Sequence, residues 1–258
     1  MQYKNYLPSA LLLAFPIAAF FIFFLDINTD LFLNINHSGK AVPDILWETL
    51  TTFGNKPFTL VLLLLIVWKK PDLLIATLIA SIMAGLISST LKPLFDLARP
   101  TDILNMSDYH LIGPKISRHS FPSGHTLSAF AIASSLIFFY KKHLITISML
   151  LLASLVGLSR IMLGVHWPID VLMGATLGLA CGYAGVQFSR LKWIKDYTYK
   201  TLIVLVLYLL LAIRLFWKGT TYADIQGLVM VISIAGMALG MFLITKLLVS
   251  RISRLHID

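Results

Sequence analysis

The amino-acid sequence predicts an all-α fold, a polytopic bundle of transmembrane helices formed by one chain. Of its 258 residues, 58% are hydrophobic and only 13% are charged, whereas soluble domains are about half apolar and a quarter charged. The mean hydropathy is +0.84. The apolar residues form long uninterrupted blocks instead of amphipathic stripes, so a single membrane-embedded bundle is favoured over one or two soluble domains.

Eight apolar blocks are candidate membrane spans, since a helix needs about 20 apolar residues to cross the hydrocarbon core. They cover residues 7–25, 51–68, 73–91, 124–140, 144–163, 169–188, 201–217 and 225–247. The second is uncharged only from Pro57 to Trp68, and Arg214 interrupts the seventh, so six or seven spans stay open as alternatives. We expect a six-span core over residues 1–190 and an additional C-terminal region of about two spans over residues 191–258.

The first block and several glycines carry further expectations. Residues 7–25 are longer than the apolar part of an ordinary secretory signal and no small-residue cleavage site follows, which predicts a retained span. Cys181 is the single cysteine, so no intrachain disulfide forms. Small-residue seams predict close helix packing within the chain in preference to dimerisation. They comprise Gly174, Gly178 and Gly182 in the sixth span, and Gly236 and Gly240 in the eighth.

The distribution of Lys and Arg predicts the orientation. With the N-terminus in the cytoplasm, twelve of the 21 basic residues lie inside and nine outside. Four of those nine flank the polar segments described below: Lys92, Arg99, Arg118 and Arg160. If these four serve a chemical role and not as topology anchors, the remaining ratio is twelve to five. Both termini are therefore predicted to be cytoplasmic. The net charge of +9 fits lipid anchoring and an anion site, and the scatter of basic residues over loops argues against nucleic-acid binding.

Three polar segments interrupt the apolar pattern, all on the predicted outer face. LKPLFDLARP follows the third span, FPSGH precedes the fourth, and SRIMLGVHWPID joins the fifth to the sixth. The first two supply Lys92, Arg99, Ser123, Gly124 and His125, and the third supplies Ser159, Arg160, His166 and Asp170. Because alternating spans return the chain to the same side of the membrane, we expect these side chains to converge.

The cations and a helix terminus together predict an anion site. Lys92, Arg99 and Arg160 place three positive charges near one membrane surface. Ser123 and the N–H groups around Gly124 lie at a predicted helix N-terminus, where unpaired donors and the helix dipole favour an anion. Arginine is suited to bidentate phosphate contacts. This set describes a pocket for a tetrahedral oxyanion.

The two histidines predict nucleophilic and acid–base catalysis. Pro168 favours a helix start just after His166, and Asp170 lies four residues beyond that histidine. A carboxylate so placed accepts from one ring nitrogen and raises the nucleophilicity of the other. His125 is then available to protonate a leaving oxygen and later to activate water.

Each of these residues also has a simpler interpretation. A single histidine at a membrane interface is more often an interfacial polar residue, and cations at span ends are usually topology anchors. Taken jointly, seven suitable groups on the face that should be poor in Lys and Arg favour a functional site. Metal catalysis is disfavoured, since the surrounding cations would repel a metal ion and Asp96, Asp102 and Asp108 lack ligand spacing with a histidine pair. We expect neither a metal nor a cofactor.

The three segments resemble the three-part signature of the type 2 phosphatidic acid phosphatase superfamily, which also includes vanadium-dependent haloperoxidases. KPLFDLARP, PSGH and SRIMLGVHWPID match every fixed position of K-x6-RP, PSGH and SR-x5-H-x3-D, between residues 92 and 170. The resemblance implies that His166 attacks phosphorus, oriented by Asp170, and that His125 protonates the leaving group, with no metal needed. Lys92, Arg99, Ser123, Gly124 and Arg160 would hold the phosphate oxygens. Pro122 and Ser159, with Arg118 and His119 outside the fixed positions, are expected to surround the site.

The same resemblance implies the substrate and the location. We expect a phosphorylated lipid of the undecaprenyl diphosphate or phosphatidylglycerophosphate type, cleaved at the extracytoplasmic face of a bacterial cytoplasmic (inner) membrane, with no obligate protein partner. A lipid A phosphatase and a lipid-to-lipid phosphotransferase remain alternatives with the same site. An oxidoreductase that uses bound vanadate is disfavoured by the membrane setting. A transporter or flippase is disfavoured because the charges cluster at one face and not along the span centres.

Overall fold

In the computed structural model, which describes residues 6–117, 119–191 and 197–255, the regular elements are helices, as the all-α prediction requires. Short 3-10 turns lie at Gly39–Ala41 and Ala223–Ile225. The α-helices are α1 (Leu7–Phe24), α2 (Asn28–Ser38), α3 (Asp44–Thr52), α4 (Lys56–Val67), α5 (Pro71–Phe95), α6 (Pro100–Ile103), α7 (Gly124–Tyr140), α8 (His143–Met162), α9 (Pro168–Ser189), α10 (Tyr197–Lys218) and α11 (Gln226–Leu255).

The chain is a multi-pass membrane protein. Within the described residues, six helical segments are long and apolar enough to cross a bilayer, beginning with α1, α5, α8, α9, α10 and the 3-10 turn that leads into α11. The number becomes seven if α3 and α4, which meet at an angle of 72°, count as one bent span. Helix α7 is apolar but has only 17 residues. Eight apolar blocks therefore correspond to six or seven segments of spanning length.

The predicted second span, residues 51–68, is not one straight helix. Helix α3 ends at Thr52, and α4 begins at Lys56 after a break. The side chain of Asn55 caps α4 by accepting from the N–H of Phe58 at 3.4 Å, and Pro57 lies in the first turn. Both features favour a new helix start over continuation of the old one. The bend places Gly54 against the beginning of α7, at the site described below.

Helix α7 lies at the centre of the bundle, packed against α5, α8 and α9. Its side chains from Thr126 to Ile137 are buried. The glycines of α9 permit the closest approach: a Cβ on Gly178 would lie 2.5 Å from the carbonyl oxygen of Leu127, and one on Gly174 would lie 2.8 Å from that of Ser123. The predicted seam thus packs inside the chain, and it brings the N-terminal ends of α7 and α9 together.

A buried asparagine fixes the segment between α8 and α9. Asn36, on α2, donates from Nδ2 to the carbonyl oxygens of His110, Ile161 and Met162 at 2.9, 3.1 and 3.0 Å. Its Oδ1 accepts from the N–H of His110 at 2.7 Å. Two of these bonds reach backbone carbonyls at the end of α8, and the other two hold the backbone of His110 in the loop between α6 and α7. The turn that leads to α9 therefore starts from a fixed point.

The two C-terminal helices pack on the preceding bundle. Helices α10 and α11 contact each other and α4. The hydroxyl of Tyr208, fully buried on α10, donates to the carbonyl oxygen of Leu74 at 3.0 Å and lies 2.9 Å from Oγ1 of Thr77. Side chains from both regions share one apolar cluster, which includes Leu60, Leu64, Leu73, Leu205 and Leu243. The boundary near residue 190 between the six-span core and the C-terminal region stays a prediction. In the structure, α10 contacts α4 and α5, and α11 contacts α4.

Candidate active site

The last turn of α5 and the segment that follows it supply two of the predicted cations, Lys92 and Arg99. Lys92 lies in the last turn, and the backbone of Asp96 adopts a left-handed conformation, φ 38°, that ends the helix. Nζ of Lys92 donates to the carbonyl oxygen of His119 at 2.5 Å. Nη2 of Arg99 donates to the same oxygen at 3.2 Å. One backbone carbonyl thus holds both cations in place.

Arg99 also connects this segment to the predicted nucleophile. Its side chain is buried, and Nη1 donates to the carbonyl oxygen of Val165 at 2.7 Å. The same nitrogen lies 3.2 Å from Nε2 of His166. The guanidinium therefore presents donors beside one ring nitrogen of that histidine.

The opposite ring nitrogen faces a carboxylate. Nδ1 of His166 lies 3.2 Å from Oδ2 of Asp170, and both side chains are buried. That oxygen also accepts from the backbone N–H of Trp167 at 2.9 Å and from the hydroxyl of Ser120 at 2.5 Å. An Nδ1–H that donates to Asp170 leaves the lone pair on Nε2, which then accepts from Nη1 of Arg99. The arrangement therefore points the basic nitrogen of His166 toward Arg99.

The electrostatic surroundings favour the neutral form of His166. Burial lowers the pKa of His166 well below its usual value of 6.5, and the positive charges of Arg99 and Arg160 lower it further. Lys92 and His125 act in the same direction. These four groups, predicted from three separate segments, therefore lie close enough to one ring to affect its protonation. The uncharged imidazole is the nucleophilic form.

The FPSGH segment forms the start of α7. Ser123 is the N-cap, and its Oγ accepts from Oγ1 of Thr126 at 2.9 Å. The N–H of Ser123 donates to the carbonyl oxygen of Asp170 at 3.0 Å, which joins α7 to α9. Gly124 opens the helix, where a Cβ would lie 3.3 Å from Oγ of Ser88. The first turn of α7, whose N–H groups have no partner within a helix, therefore starts next to Asp170.

His125 lies against the bend between α3 and α4. A Cβ on Gly54 would be 2.7 Å from Cβ of His125 and 3.0 Å from its carbonyl oxygen. The close packing fixes the backbone of the first turn of α7. Two cavities border this histidine, one of about 420 Å³ and one of about 340 Å³. The side chain is only half-buried, so it stays accessible to a ligand in either cavity.

Arg160, near the end of α8, is buried with spare hydrogen-bonding capacity. Its Nη1 donates to Oγ1 of Thr51 at 2.6 Å, and Tyr222 lines the same cavity as Arg160, the smaller of the two beside His125. Its Nε has no hydrogen-bond partner among the described residues. A buried, unpaired guanidinium N–H is costly unless a ligand satisfies it. Arg160 therefore has a donor available for an anion.

The structure brings most of the predicted residues into one constellation. It contains Lys92, Arg99, Ser123, Gly124, His125, Arg160, His166 and Asp170. His119 joins it through its backbone carbonyl, while its ring pairs with Asp96 at 3.0 Å. Pro122 is buried after a cis peptide bond. The hydroxyl of Ser159 donates within its own helix, to the carbonyl of Val156 at 2.7 Å. Arg118 lies outside the described residues.

Several contributors are absent from the sequence prediction. Ser120 donates to Asp170, and its position directly before FPSGH is the only signal that marks it. Thr51 bonds to Arg160 and Tyr222 lines a cavity with it, both from parts far away in the chain, and no pattern in their surroundings indicates this. Trp167 contributes a backbone donor, and its Nε1 donates to the carbonyl oxygen of Ala98 at 2.8 Å. These residues position the predicted ones.

Comparisons with known proteins identify the family of the chain. The profile of a family described as the PAP2 superfamily matches residues 73–194. An undecaprenyl-diphosphatase of Sulfolobus acidocaldarius is 31% identical over 170 residues, which cover 65% of this chain and 81% of that protein. Phosphatidylglycerophosphatase B of Bacillus subtilis is 42% identical over 72 residues, 24% of this chain and 36% of that protein.

A solved structure shares the fold. The crystal structure of a transmembrane PAP2-type phosphatidylglycerolphosphate phosphatase from Bacillus subtilis superposes with a TM-score of 0.55 at 24% identity. The match covers 74% of this chain and 100% of that one. At this level of identity the likeness concerns the arrangement of helices.

Proposed function

The chain belongs to the PAP2 superfamily and is a membrane lipid phosphatase, and from that premise we propose that it cleaves a lipid phosphate or diphosphate through a phosphohistidine on His166. One observation carries the mechanism: Nδ1 of His166 faces Asp170 while Nε2 faces Arg99. This orientation supplies a lone pair next to a donor that binds phosphate oxygens.

Binding of the phosphate group places negative charge among fixed donors. Arg99, Arg160 and Lys92 supply the positive charge, and the first turn of α7 supplies backbone N–H groups. The unpaired Nε of Arg160 would gain a partner. Because charge on the transferring phosphoryl group is spread over its oxygens, such donors stabilise the transition state more than the ground state.

In the first step, Nε2 of His166 attacks phosphorus and the bond from phosphorus to the leaving oxygen breaks. The electron pair of that bond stays on the leaving oxygen, which takes a proton from His125. The Nδ1–H that Asp170 accepts holds the ring in the required tautomer, and the carboxylate stabilises the positive charge on the substituted imidazole. In the second step, His125 removes a proton from water, and the water oxygen attacks phosphorus. The bond between phosphorus and Nε2 breaks, its electron pair returns to Nε2, and orthophosphate and free His166 are released.

No step of this scheme uses a metal ion, so we propose a metal-independent reaction. The cations occupy the positions where a metal would neutralise phosphate charge in other phosphoryl-transfer enzymes. Purified protein in detergent should release phosphate from lipid substrates in the presence of EDTA. The His166→Ala variant should lose this activity, and His143→Ala, at the opposite end of α8, should retain it. Full activity of His166→Ala would exclude the proposed nucleophile.

The substrate class follows from the relatives and from the membrane setting. Matching proteins bear the names undecaprenyl-diphosphatase and phosphatidylglycerophosphatase B, and we propose that this chain acts on a lipid of that kind. Transfer of the phosphoryl group to a second lipid, and hydrolysis of lipid A phosphates, are the alternatives. With a substrate labelled in its terminal phosphate, free labelled orthophosphate supports the hydrolase, whereas a labelled second lipid would establish the transferase.

We further propose that the site faces the extracytoplasmic side of a bacterial inner membrane, with both termini in the cytoplasm. The twelve-to-five ratio of basic residues supports this orientation. The exposed Lys115 lies between α6 and α7, in the loop that leads to the site. In Lys115→Cys, with Cys181 changed to Ala, an impermeant maleimide should label intact cells. Labelling only after permeabilisation would reverse the orientation.

A further inference from the structure

The two C-terminal helices, which carry none of the family signature, border the active site through Arg214. This arginine lies one turn before the end of α10. It lines both cavities next to His125, the one of about 420 Å³ and the one of about 340 Å³. From the sequence it was only a charge that interrupts a span. In the structure it lies beside the histidine that is proposed to protonate the leaving group.

The larger cavity has a basic and polar part. Lys56, at the start of α4, and Arg214 both line it together with His125. Nζ of Lys56 lies 3.1 Å from the position that a Cβ on Gly85 would take, so the ammonium reaches across to α5. Among the described residues, the lining contains no Asp or Glu side chain. Neither cation forms an ion pair within the part of the chain that the structure describes.

A buried hydroxyl in the same cavity also has unused hydrogen-bonding capacity. Ser81, on α5, is 4% exposed, and its Oγ has no hydrogen-bond partner among the described residues. A buried hydroxyl without a partner is rare in folded proteins and indicates that a ligand or water satisfies it. Two unpaired cations and one unpaired hydroxyl thus face a single space.

Another part of the cavity is apolar. Leu60, Leu78, Ile82 and Leu211, from α4, α5 and α10, line it. A pocket with cations at one part and aliphatic side chains at another fits an amphiphile with an anionic head group. Intramembrane cations without a carboxylate partner are costly and are retained where a ligand needs them.

From this arrangement we propose that Lys56 and Arg214 bind a second phosphate, the one that remains with the leaving lipid. The inference rests on the proposed function, in which His125 protonates the leaving oxygen. The leaving group must then lie on the side of His125, where the cavity is. For a lipid diphosphate, the bond from the terminal phosphorus to the bridging oxygen breaks and the bridging oxygen remains on a lipid monophosphate. For phosphatidylglycerophosphate, the leaving group keeps a phosphodiester.

Both leaving groups therefore carry an anionic phosphate group, which would lie on the side of His125. A lipid such as phosphatidic acid has only the phosphate that is cleaved, and its leaving group is a neutral alcohol. The second site should consequently raise the efficiency of substrates with two phosphorus atoms over those with one. The C-terminal helices would thereby select the substrate.

The test compares wild-type protein with Arg214→Gln and Lys56→Gln on three lipids: a polyprenyl diphosphate, phosphatidylglycerophosphate and phosphatidic acid. A charge-assisted phosphate contact contributes roughly 1.5–3 kcal/mol, so the ratio of kcat/KM for the diphosphate to that for phosphatidic acid should fall about 10- to 100-fold in each variant. Arg214→Lys should restore part of the ratio. Lys115→Gln, an exposed cation between α6 and α7, is the matched control and should keep the wild-type ratio.

The outcomes separate the two proposals. A lowered ratio for the diphosphate alone identifies a diphosphate as the ligand, and a lowered ratio for phosphatidylglycerophosphate alone identifies the phosphodiester. An unchanged ratio for both, or equal losses on all three lipids, would overturn the second site while leaving the hydrolase intact. Wild-type protein that releases no phosphate from any of the three would contradict the proposed function as well.

Discussion

The hydroxyl of Ser120 donates to Oδ2 of Asp170 at 2.5 Å, the same oxygen that lies 3.2 Å from Nδ1 of His166. Three donors thus converge on one carboxylate oxygen, because the N–H of Trp167 reaches it as well. Each donor restricts the rotation of the carboxyl group. Ser120 is therefore a positioning residue for His166, one that acts through Asp170.

Replacement of Ser120 by Ala should lower kcat with little change in KM. The lost hydrogen bond to a charged oxygen contributes about 1.5–3 kcal/mol, and part of this is retained by Trp167, so we expect a decrease of roughly tenfold. Steady-state kinetics on a lipid phosphate measure it. Ser135→Ala, which removes a hydroxyl bonded to the carbonyl of Ala131 within α7, is the control. A changed KM with an unchanged kcat would assign Ser120 to substrate binding instead.

The protonation of His166 gives a pH prediction. Because burial and the nearby cations lower its pKa, the neutral, nucleophilic form persists as the pH falls below 6.5 and is lost only in more acidic solution. Titration of ¹⁵N-labelled histidine, with the signals assigned through His166→Gln, should give a midpoint below 6.5. Arg160→Gln removes one of the positive charges, so the midpoint should rise. A midpoint at or above 6.5 in the wild-type protein would contradict the electrostatic account.

Arg160→Lys should be far less active than its conservative character suggests. The guanidinium donates to Thr51 and still has Nε available, whereas a lysine ammonium cannot keep this contact and present a planar pair of donors to phosphate at once. We expect kcat/KM to fall about 100-fold, the effect of losing bidentate charge-assisted contacts. Arg190→Lys, at the exposed end of α9, serves as the control. Equal activity of the two variants would remove Arg160 from the phosphate site.

The contact of α7 with α9 predicts a difference in stability between two glycine substitutions. A Cβ on Gly178 would be 2.5 Å from a backbone oxygen of α7, which cannot move alone, whereas a Cβ on Gly227 would have no atom of the described residues within 4 Å. Gly178→Ala should therefore destabilise the protein by about 1–3 kcal/mol. Gly227→Ala should leave the free energy of unfolding nearly unchanged. Thermal unfolding in detergent distinguishes them, and equal midpoints would contradict the packing.

The sequence was most informative where chemistry is concentrated in short segments. His166 and Asp170 are four residues apart, so their contact follows from one helical turn once Pro168 starts α9. The convergence of Lys92, Arg99, His125 and Arg160 followed from their places at span ends. Thr51 and Tyr222 could not be predicted, because Thr51 is 109 residues from Arg160 and only the fold brings them together.

The shape of the spans was less predictable for a related reason. Hydropathy averages over a window and does not register the cap at Asn55, so residues 51–68 looked like one helix. The break there is what places Gly54 against His125. Arg214 had the appearance of a snorkelling residue, and its position beside the active site depends on how α10 packs against α4. Local patterns predict elements, and contacts between distant elements require the structure.

A covalent phosphohistidine on His166 can be trapped during turnover. Protein mixed with a lipid labelled in its terminal phosphate and quenched within one turnover should carry label that survives alkali and is lost in acid. Peptide mapping should place the label on His166. The label should be absent from His166→Ala and present in His143→Ala. Label on another residue, or steady hydrolysis by His166→Ala, would contradict the mechanism.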